Sequence, residues 1–140
     1  MIRKGLFLFV VILFQFNLSI VNAQENNIVK LLDIKKDQII KTTPTNSNVQ
    51  LETEKIIKGI DGIVKKFKPI PNQGYMVKIP LEPPYLIENK WINTLIDEII
   101  IIIPNEEDPY LVTFDDENNP YFFTFKTKID ALLNTLDFSL

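Results

Sequence analysis

The apolar residues of this chain are most concentrated between residues 98 and 126. Five consecutive isoleucines, Ile99 to Ile103, stand in front of Pro104. A short run made only of β-branched residues favours a strand buried on both faces, because branching at Cβ restricts χ1 against a helical turn. Since periodicity does not separate the two structures in so short a run, a helix running from Lys90 into the isoleucines is the alternative.

Two similar segments follow the isoleucines, and each fits the pattern P-Y-x-x-T-F. They span residues 109–114 and 120–125, and a turn-forming polar cluster precedes each. The pair predicts a β-hairpin, with Asp115 opposite Pro120 across a loop of residues 116–119. In that register alternate side chains share one dry core face. The residues predicted on this face are Tyr110, Val112, Phe114, Tyr121, Phe123 and Phe125.

Residues 49–67 carry the pattern of an amphipathic helix. Apolar residues recur at helical spacing on one side of it, and lysines and acids fill the other. The apolar positions are Ile56, Ile57, Ile60, Ile63, Val64 and Phe67. Ser47 and Gln50 are suited to a capping box at its start. A second apolar face at helical spacing predicts a short C-terminal helix through Ile129, Leu132, Leu133, Leu136 and Leu140.

A proline-rich stretch separates the long helix from the isoleucines. Residues 75–79 alternate as in a strand, which Pro80 is expected to end. From residue 85 to 97 the pattern does not choose between helix and strand, although Asn89 is a candidate cap for a short helical turn. Trp91 is expected in the core rather than as a platform for a ligand.

These elements predict an α+β domain over residues 49–140. It consists of a small antiparallel sheet of three to four strands, a β-meander over residues 98–126, packed against one long amphipathic helix and a short C-terminal helix. Residues 24–48 carry loosely spaced apolar positions and a turn-rich end, which predicts a mobile N-terminal arm and linker.

The first 23 residues have the order of a secretory signal peptide. A basic start at residues 1–4 precedes an apolar run over residues 5–14, and Val21-Asn22-Ala23 resembles a cleavage site. An uncleaved membrane anchor is the alternative, but a spanning helix needs about twenty apolar residues. We therefore expect export to the periplasm or the exterior, removal of residues 1–23, and no membrane association afterwards.

Charge is unevenly distributed in the chain that remains. Without the two basic residues of the signal it has 13 basic and 18 acidic side chains. Residues 24–78 contain ten lysines and six acids, whereas residues 79–140 contain three lysines and twelve acids. The acidic second half predicts association with a basic protein. The candidate partner-binding residues are Glu106, Glu107, Asp108, Asp115, Asp116 and Glu117.

The residue types that are absent exclude several chemistries. The sequence has no histidine and no cysteine, which excludes Ser-His-Asp and Cys-His nucleophiles and histidine or thiolate metal sites. It has no glycine-rich phosphate loop, and no arginine follows residue 23, so bidentate recognition of phosphate or guanine is not expected. No cofactor and no nucleic-acid partner are predicted.

Carboxylate chemistry is what the composition leaves. The acids at 106–108 and 115–117 are expected at opposite ends of a strand, about 15 to 20 Å apart, too far for a glycosidase pair. Asp115, Glu117 and Asn119 alternate like the first ligands of a calcium loop. The sixth and twelfth positions of that motif do not match, so no metal is predicted.

The leading hypothesis is a secreted binding or inhibitory module without catalytic activity, whose acidic half binds a basic protein. A carboxylate-dependent hydrolase of envelope material is one alternative, and it requires a cleft where several acids, lysines or tyrosines converge. The other alternative is a membrane-surface or structural envelope protein that binds through its basic helix.

Overall fold

The structure, a computed structural model, describes residues 27–140 and contains one antiparallel sheet and two short helices. The predicted signal peptide at residues 1–23 lies outside the described residues. The elements in chain order are β1 (Ile28–Asp33), β2 (Gln38–Pro44), α1 (Ser47–Lys58), β3 (Ile60–Ile63), β4 (Gly74–Glu88), β5 (Asn93–Pro104), β6 (Tyr110–Phe114), β7 (Pro120–Phe125) and α2 (Asp130–Leu136). The seven strands are ordered β2-β1-β4-β5-β6-β7-β3.

The predicted fold, a sheet of three to four strands against one long helix, is therefore wrong. The long helix ends at Lys58, where the amide of Gly59 donates to the carbonyls of Lys55 and Ile56. Two of the apolar positions that follow at helical spacing, Ile60 and Ile63, belong instead to the edge strand β3, which pairs with β7. Phe67, predicted on the apolar stripe, is 73% exposed.

The predicted mobile arm at residues 24–48 is also wrong for the part that the structure describes. Residues 28–44 form β1 and β2, and β1 pairs with both β2 and β4. Val29, Leu31 and Leu32 are buried, and Lys30 between them is buried as well. A strand covered on both faces that also contains a lysine shows no alternation, which is why its pattern does not predict it.

Both edge strands are irregular. In β2, Ile40 has no partner in β1, because Leu31 pairs with Lys41 and Leu32 pairs with Ile39. In β3 the pairing with β7 shifts at Asp61. The side chain of Asp61 accepts a hydrogen bond from the Thr124 hydroxyl at 2.7 Å. Each edge of the sheet therefore carries a β-bulge.

Helix α1 is capped and anchored differently from the predicted capping box. Asn46 is the N-cap, and its side chain accepts from the amide of Val49 at 2.9 Å. Gln50 instead donates to the Pro80 carbonyl at 2.8 Å and accepts from the Glu82 amide at 3.1 Å. These two hydrogen bonds attach the first turns of α1 to β4.

The isoleucine run is a strand, as predicted, and the helical alternative is wrong. It lies in β5, and its side chains alternate between two apolar clusters. Strand β4 does not end at Pro80. It continues to Glu88 through a register shift that contains the prolines at 83 and 84, where the ladder is interrupted. Residues 85–97 are the ends of two strands joined by a turn, in which the Asn89 side chain accepts from two backbone amides.

The predicted hairpin is present as β6 and β7, but its predicted register is wrong. Leu111 pairs with Phe123 and Thr113 pairs with Tyr121, so the two strands contribute alternate aromatic residues to opposite faces. A shift of one residue moves every side chain of a strand to the other face. The predicted single dry face is thereby divided between the two faces of the sheet.

Each face of the sheet is covered. One face packs against both helices and buries Ile99, Ile101, Leu111 and Phe123. The buried residues of α1 and α2 lie on this face. Helix α2 is the short C-terminal helix that the sequence predicts. The other face buries Met76, Ile100, Ile102, Tyr110 and Val112 under the segment between β3 and β4.

Tyr110 fixes that covering segment to the sheet. Its hydroxyl donates to the backbone carbonyl of Pro69. Burial, together with the neighbouring Glu107 carboxylate, raises the pKa of Tyr110 to about 12. Ile70 of the same segment packs on the cluster. Within residues 27–140, neither helix has the length and apolarity needed to cross a membrane.

Candidate binding site at the acidic end of the sheet

The two predicted acidic clusters lie at opposite ends of β6. Residues 106–108 belong to the loop between β5 and β6, and residues 115–117 belong to the loop between β6 and β7. With about 3.4 Å per residue, β6 separates them by roughly 15 to 20 Å. They do not form one site, and their surroundings differ.

The first cluster is partly neutralised by lysines. Glu107 forms an ion pair with Lys66, whose ammonium also lies 4.8 Å from the centre of the Tyr110 ring. Lys66 belongs to a segment that also contains Lys65 and Lys68. This end of the sheet therefore has mixed charge.

In the second cluster, Asp115 organises its own loop. Its carboxylate accepts hydrogen bonds from the amides of Glu117 and Asn119 at 2.9 Å each. The Asn119 side chain and the Tyr121 hydroxyl also donate to it. The backbone amide of Asp115 donates to the carbonyl of Asn119, and the amide of Asn118 donates to the carbonyl of Asp115. Asn118 has a left-handed φ of 63°. The hydrogen bonds from Asn119 in particular hold the pKa of Asp115 below its usual value.

Asp115→Asn is expected to destabilise the protein at neutral pH and to matter less in acid. The pKa of Asp115 is lower in the folded than in the unfolded protein, so its contribution is present above the unfolded value of about 4 and is lost as the pH falls through the folded value. Urea unfolding of wild type and variant at neutral and acid pH measures this. Glu106→Gln, at an exposed side chain, is the control. A difference between wild type and variant that stays constant into acid would contradict the role of Asp115.

Asp116 joins this loop to the neighbouring hairpin. Its carboxylate accepts a hydrogen bond from the Thr94 hydroxyl at 2.6 Å. Thr94 lies near the start of β5, in the part of the β4–β5 hairpin that extends past the end of β6. The extended hairpin and the loop then enclose a concave surface between them.

This surface is a cleft of about 530 Å³, which we call the acidic cleft. It is lined by Pro84, Leu95, Asp97, Glu98, Phe114, Asp115, Asp116 and Asn118. Glu98 forms an ion pair at 3.2 Å with the buried Lys78, and Asp115 is committed to its loop. Asp97 and Asp116 are the exposed carboxylates that remain.

Beside the carboxylates lies an exposed apolar pair. Leu86 and Leu95 are directly opposite each other in β4 and β5, so they share one face with Cβ atoms about 5 Å apart. They are 50% and 60% exposed, respectively. Leu95 lines the acidic cleft, and Leu86 lies next to it outside the lining, so the apolar pair borders the carboxylate rim that Asp97 and Asp116 form.

A smaller hollow of about 260 Å³ lies against the same loop and includes Trp91 and Tyr121 in its lining. The Trp91 ring packs 5.7 Å from that of Phe123, between centroids, and the Lys90 ammonium lies 4.8 Å from the Trp91 centroid. Trp91 is thus half-buried on the core, as predicted, and its ring already has a cation beside it.

Sequence reasoning named Asp115, Asp116 and Glu117 but missed Asp97, Leu86 and Leu95. Only the extension of β5 back to residue 93 brings these three to the loop, and the pattern of residues 85–97 does not reveal that extension. The adjacent acids at 97 and 98, just before the isoleucines, were the one available signal.

The chemistry of the acidic cleft suits binding. Exposed carboxylates accept hydrogen bonds from ammonium or guanidinium groups, and exposed leucines bury apolar side chains. A calcium ion would require Asp115 to give up the amide hydrogen bonds that shape its loop, and no group of three or more acidic side chains within residues 27–140 is placed to hold a metal.

No family model, curated protein or solved structure matches this chain.

Proposed function

We propose that this protein is an exported, non-catalytic binding module whose acidic cleft binds a basic, partly apolar segment of a protein. The observation that carries the proposal is the exposed Leu86–Leu95 pair beside the carboxylates of Asp97 and Asp116. Export rests on the composition of residues 1–23 alone.

The local charge supports a basic partner. Residues 84–98 and 114–120, which form this end of the sheet, contain six acids and a single lysine, Lys90. The ammonium of that lysine lies over Trp91. At the other end of the sheet Glu107 is paired with Lys66. The acidic excess predicted from the sequence is therefore least balanced around the acidic cleft.

The two kinds of contact have different roles. Complete burial of a leucine side chain contributes about 1.5 to 3 kcal/mol, so the leucine pair supplies affinity. Rim carboxylates mainly raise the association rate and make binding sensitive to salt. A bound segment should therefore carry an apolar side chain close to a lysine or arginine.

Neutralising the rim is expected to weaken binding of a fluorescein-labelled peptide of alternating leucine and lysine about tenfold at low salt, which corresponds to roughly 1.4 kcal/mol. The variant is Asp97→Asn with Asp116→Asn, and fluorescence anisotropy measures the affinity. Glu106→Gln with Asp108→Asn removes the same charge from the far end of β6. It is the matched control and should leave the affinity unchanged.

Leu95→Ser tests the apolar part of the site. Because Leu95 is 60% exposed, its replacement should leave the fold intact and weaken the same peptide by a similar factor. If the rim variant and its control lost the same affinity for the peptide, binding would depend only on the net charge of the protein. That result, or full affinity in Leu95→Ser, would refute the site.

The hydrolase alternative is favoured by one observation, the convergence of carboxylates on a single cleft. It predicts that the wild-type protein releases soluble fragments from purified envelope material and that Asp97→Asn or Asp116→Asn abolishes the release. Mass spectrometry of the supernatant is the assay. Against the membrane-surface alternative, α1 carries two glutamates and two lysines, so it is not basic, and its buried residues are already covered by the sheet.

A further inference from the structure

The segment between β3 and β4 presents an exposed aromatic ring among lysines. Residues 65–68 have the sequence Lys-Lys-Phe-Lys, and we call them the Phe67 loop. Phe67 is 73% exposed, and Lys65 and Lys68 are exposed as well. Neither of these two lysines forms an ion pair within residues 27–140.

The two ends of this loop are held in place. Val64 donates its amide to the carbonyl of Phe122, and the Pro69 carbonyl accepts from the Tyr110 hydroxyl. Lys66 forms an ion pair with Glu107. Phe67 is therefore displayed on a short loop with fixed ends, which lowers the entropy lost when its ring is buried by a partner.

The Phe67 loop and the acidic cleft are complementary. The loop has one apolar ring near the ammonium groups of Lys65 and Lys68. The cleft has two exposed carboxylates and Leu95 in its lining, with Leu86 exposed next to Leu95. The loop thus carries the basic, partly apolar segment that the proposed function requires. Complementary charge at the rim and apolar contact at the centre is the arrangement of specific protein interfaces.

A chain does not fill its own cleft with this loop. The Lys66–Glu107 ion pair places the Phe67 loop beside the β5–β6 loop, whereas the cleft lies at the β6–β7 loop, at the other end of β6. A surface that matches a different surface of the same molecule makes a heterologous contact between copies. Such a contact continues from copy to copy unless the rotation closes a ring.

We infer that the partner in the acidic cleft is a second copy of this chain, which docks its Phe67 loop there, so that copies associate end to end. This inference rests on the proposed function and names its partner. Glu106 and Asp108 are exposed in the loop beside Lys66, and they oppose the approach of an acidic cleft. Their neutralisation should therefore strengthen the association.

Sedimentation velocity of the exported protein tests this from micromolar to millimolar concentration at low salt. The weight-average mass should rise beyond that of a dimer, and should fall when salt is added. Phe67→Ser with Lys68→Gln removes the binding side chains of the loop, and Leu95→Ser with Asp97→Asn removes those of the cleft. Each variant alone should be monomeric. Because each retains the surface that the other lacks, their equimolar mixture should form a dimer and nothing larger.

A matched control changes one exposed leucine and one exposed lysine elsewhere. Leu51→Ser with Lys58→Gln, both in α1, should assemble like the wild type, and Glu106→Gln with Asp108→Asn should assemble at lower concentration. A wild-type protein that stays monomeric but binds the leucine–lysine peptide would refute self-association and leave the proposed function standing. A wild-type protein that neither self-associates nor binds the peptide would refute both the inference and the proposed function. Assembly that stops at a symmetric dimer, or a mixture that stays monomeric while the wild type assembles, would also refute the inference.

Discussion

Replacing Gly74 with alanine is expected to lower the free energy of unfolding by about 3 kcal/mol or more, because both the backbone and the space at this position require glycine. Gly74 begins β4 with φ of +123°, which side chains of L-residues rarely allow. A Cβ atom there would lie 2.3 Å from the carbonyl oxygen of Ile103 and 3.0 Å from Cα of Pro104. Both obstacles are backbone atoms of the neighbouring strand, so the sheet itself would have to move.

The structural role of Gly74 makes that movement costly. Its carbonyl accepts from the amide of Ile34 at 3.0 Å, so it connects the turn after β1 with the start of β4. Since small domains are stable by only about 5 to 15 kcal/mol, the loss should be evident as a lower urea midpoint.

Gly62→Ala is the matched control for this substitution. Its nearest obstacle is the Thr124 hydroxyl at 3.0 Å, which belongs to a side chain, and its φ lies outside the left-handed region. A change of less than about 1 kcal/mol is expected. If the two alanine variants unfolded at the same urea concentration, the strain assigned to Gly74 would be wrong.

Replacing Phe123 with alanine is the second substitution with a large expected effect, a loss of about 3 to 5 kcal/mol. Phe123 is fully buried in β7 and pairs with Leu111 of β6. Its ring lies 5.7 Å from that of Trp91 and 6.1 Å from that of Tyr121, between centroids. The cavity would open between the sheet and the helices, where strands from several parts of the chain limit relaxation.

Phe67→Ala is the matched control for Phe123→Ala. The same atoms are removed, but from a ring that is 73% exposed, so a change within about 0.5 kcal/mol is expected. Thermal and urea unfolding of the two variants would measure the contrast. Comparable destabilisation by both would show that Phe67 packs on the domain and would remove the basis of the Phe67 loop as a displayed surface.

The elements that were predicted correctly are those in which every residue favours the same structure. The register of the hairpin was predicted wrongly by one residue. Branching at Cβ favoured a strand over a helix for the isoleucine run, and the repeated P-Y-x-x-T-F segments favoured a hairpin. The register depended on whether Asn119 belongs to the loop or to the closing pair. The left-handed φ of Asn118 and the hydrogen bonds of Asp115 decide this, and neither follows from a hydrophobic pattern.

The long helix was predicted to continue too far, because over only four residues the same apolar spacing fits both a helix and a strand. Ile60 and Ile63 fit a helical stripe, but Gly59 ends the helix where the chain meets β7. A Cβ on Gly59 would lie 2.2 Å from the Thr127 hydroxyl, and its carbonyl accepts from the Lys126 amide. These contacts are made by residues more than sixty positions away, so local propensity does not contain them.

The candidate site was predicted in part. The pattern of charge located the acids of the β6–β7 loop, because an uneven distribution of charge is visible in any linear sequence. Its apolar half was not predicted. Leu86 and Leu95 become a pair only through the register of β4 and β5 beyond the prolines, which is a property of the sheet.

The bulges at Ile40 and Asp61 have a consequence for how this protein avoids aggregation. Unprotected edge strands recruit further strands and lead to amyloid-like stacking. Here each outermost strand is bent by an unmatched residue, so lateral addition of a strand is disfavoured on both sides. Copies of the chain are thereby kept from merging their sheets side by side, which leaves the loops at the ends of the sheet free for the end-to-end contact that we propose.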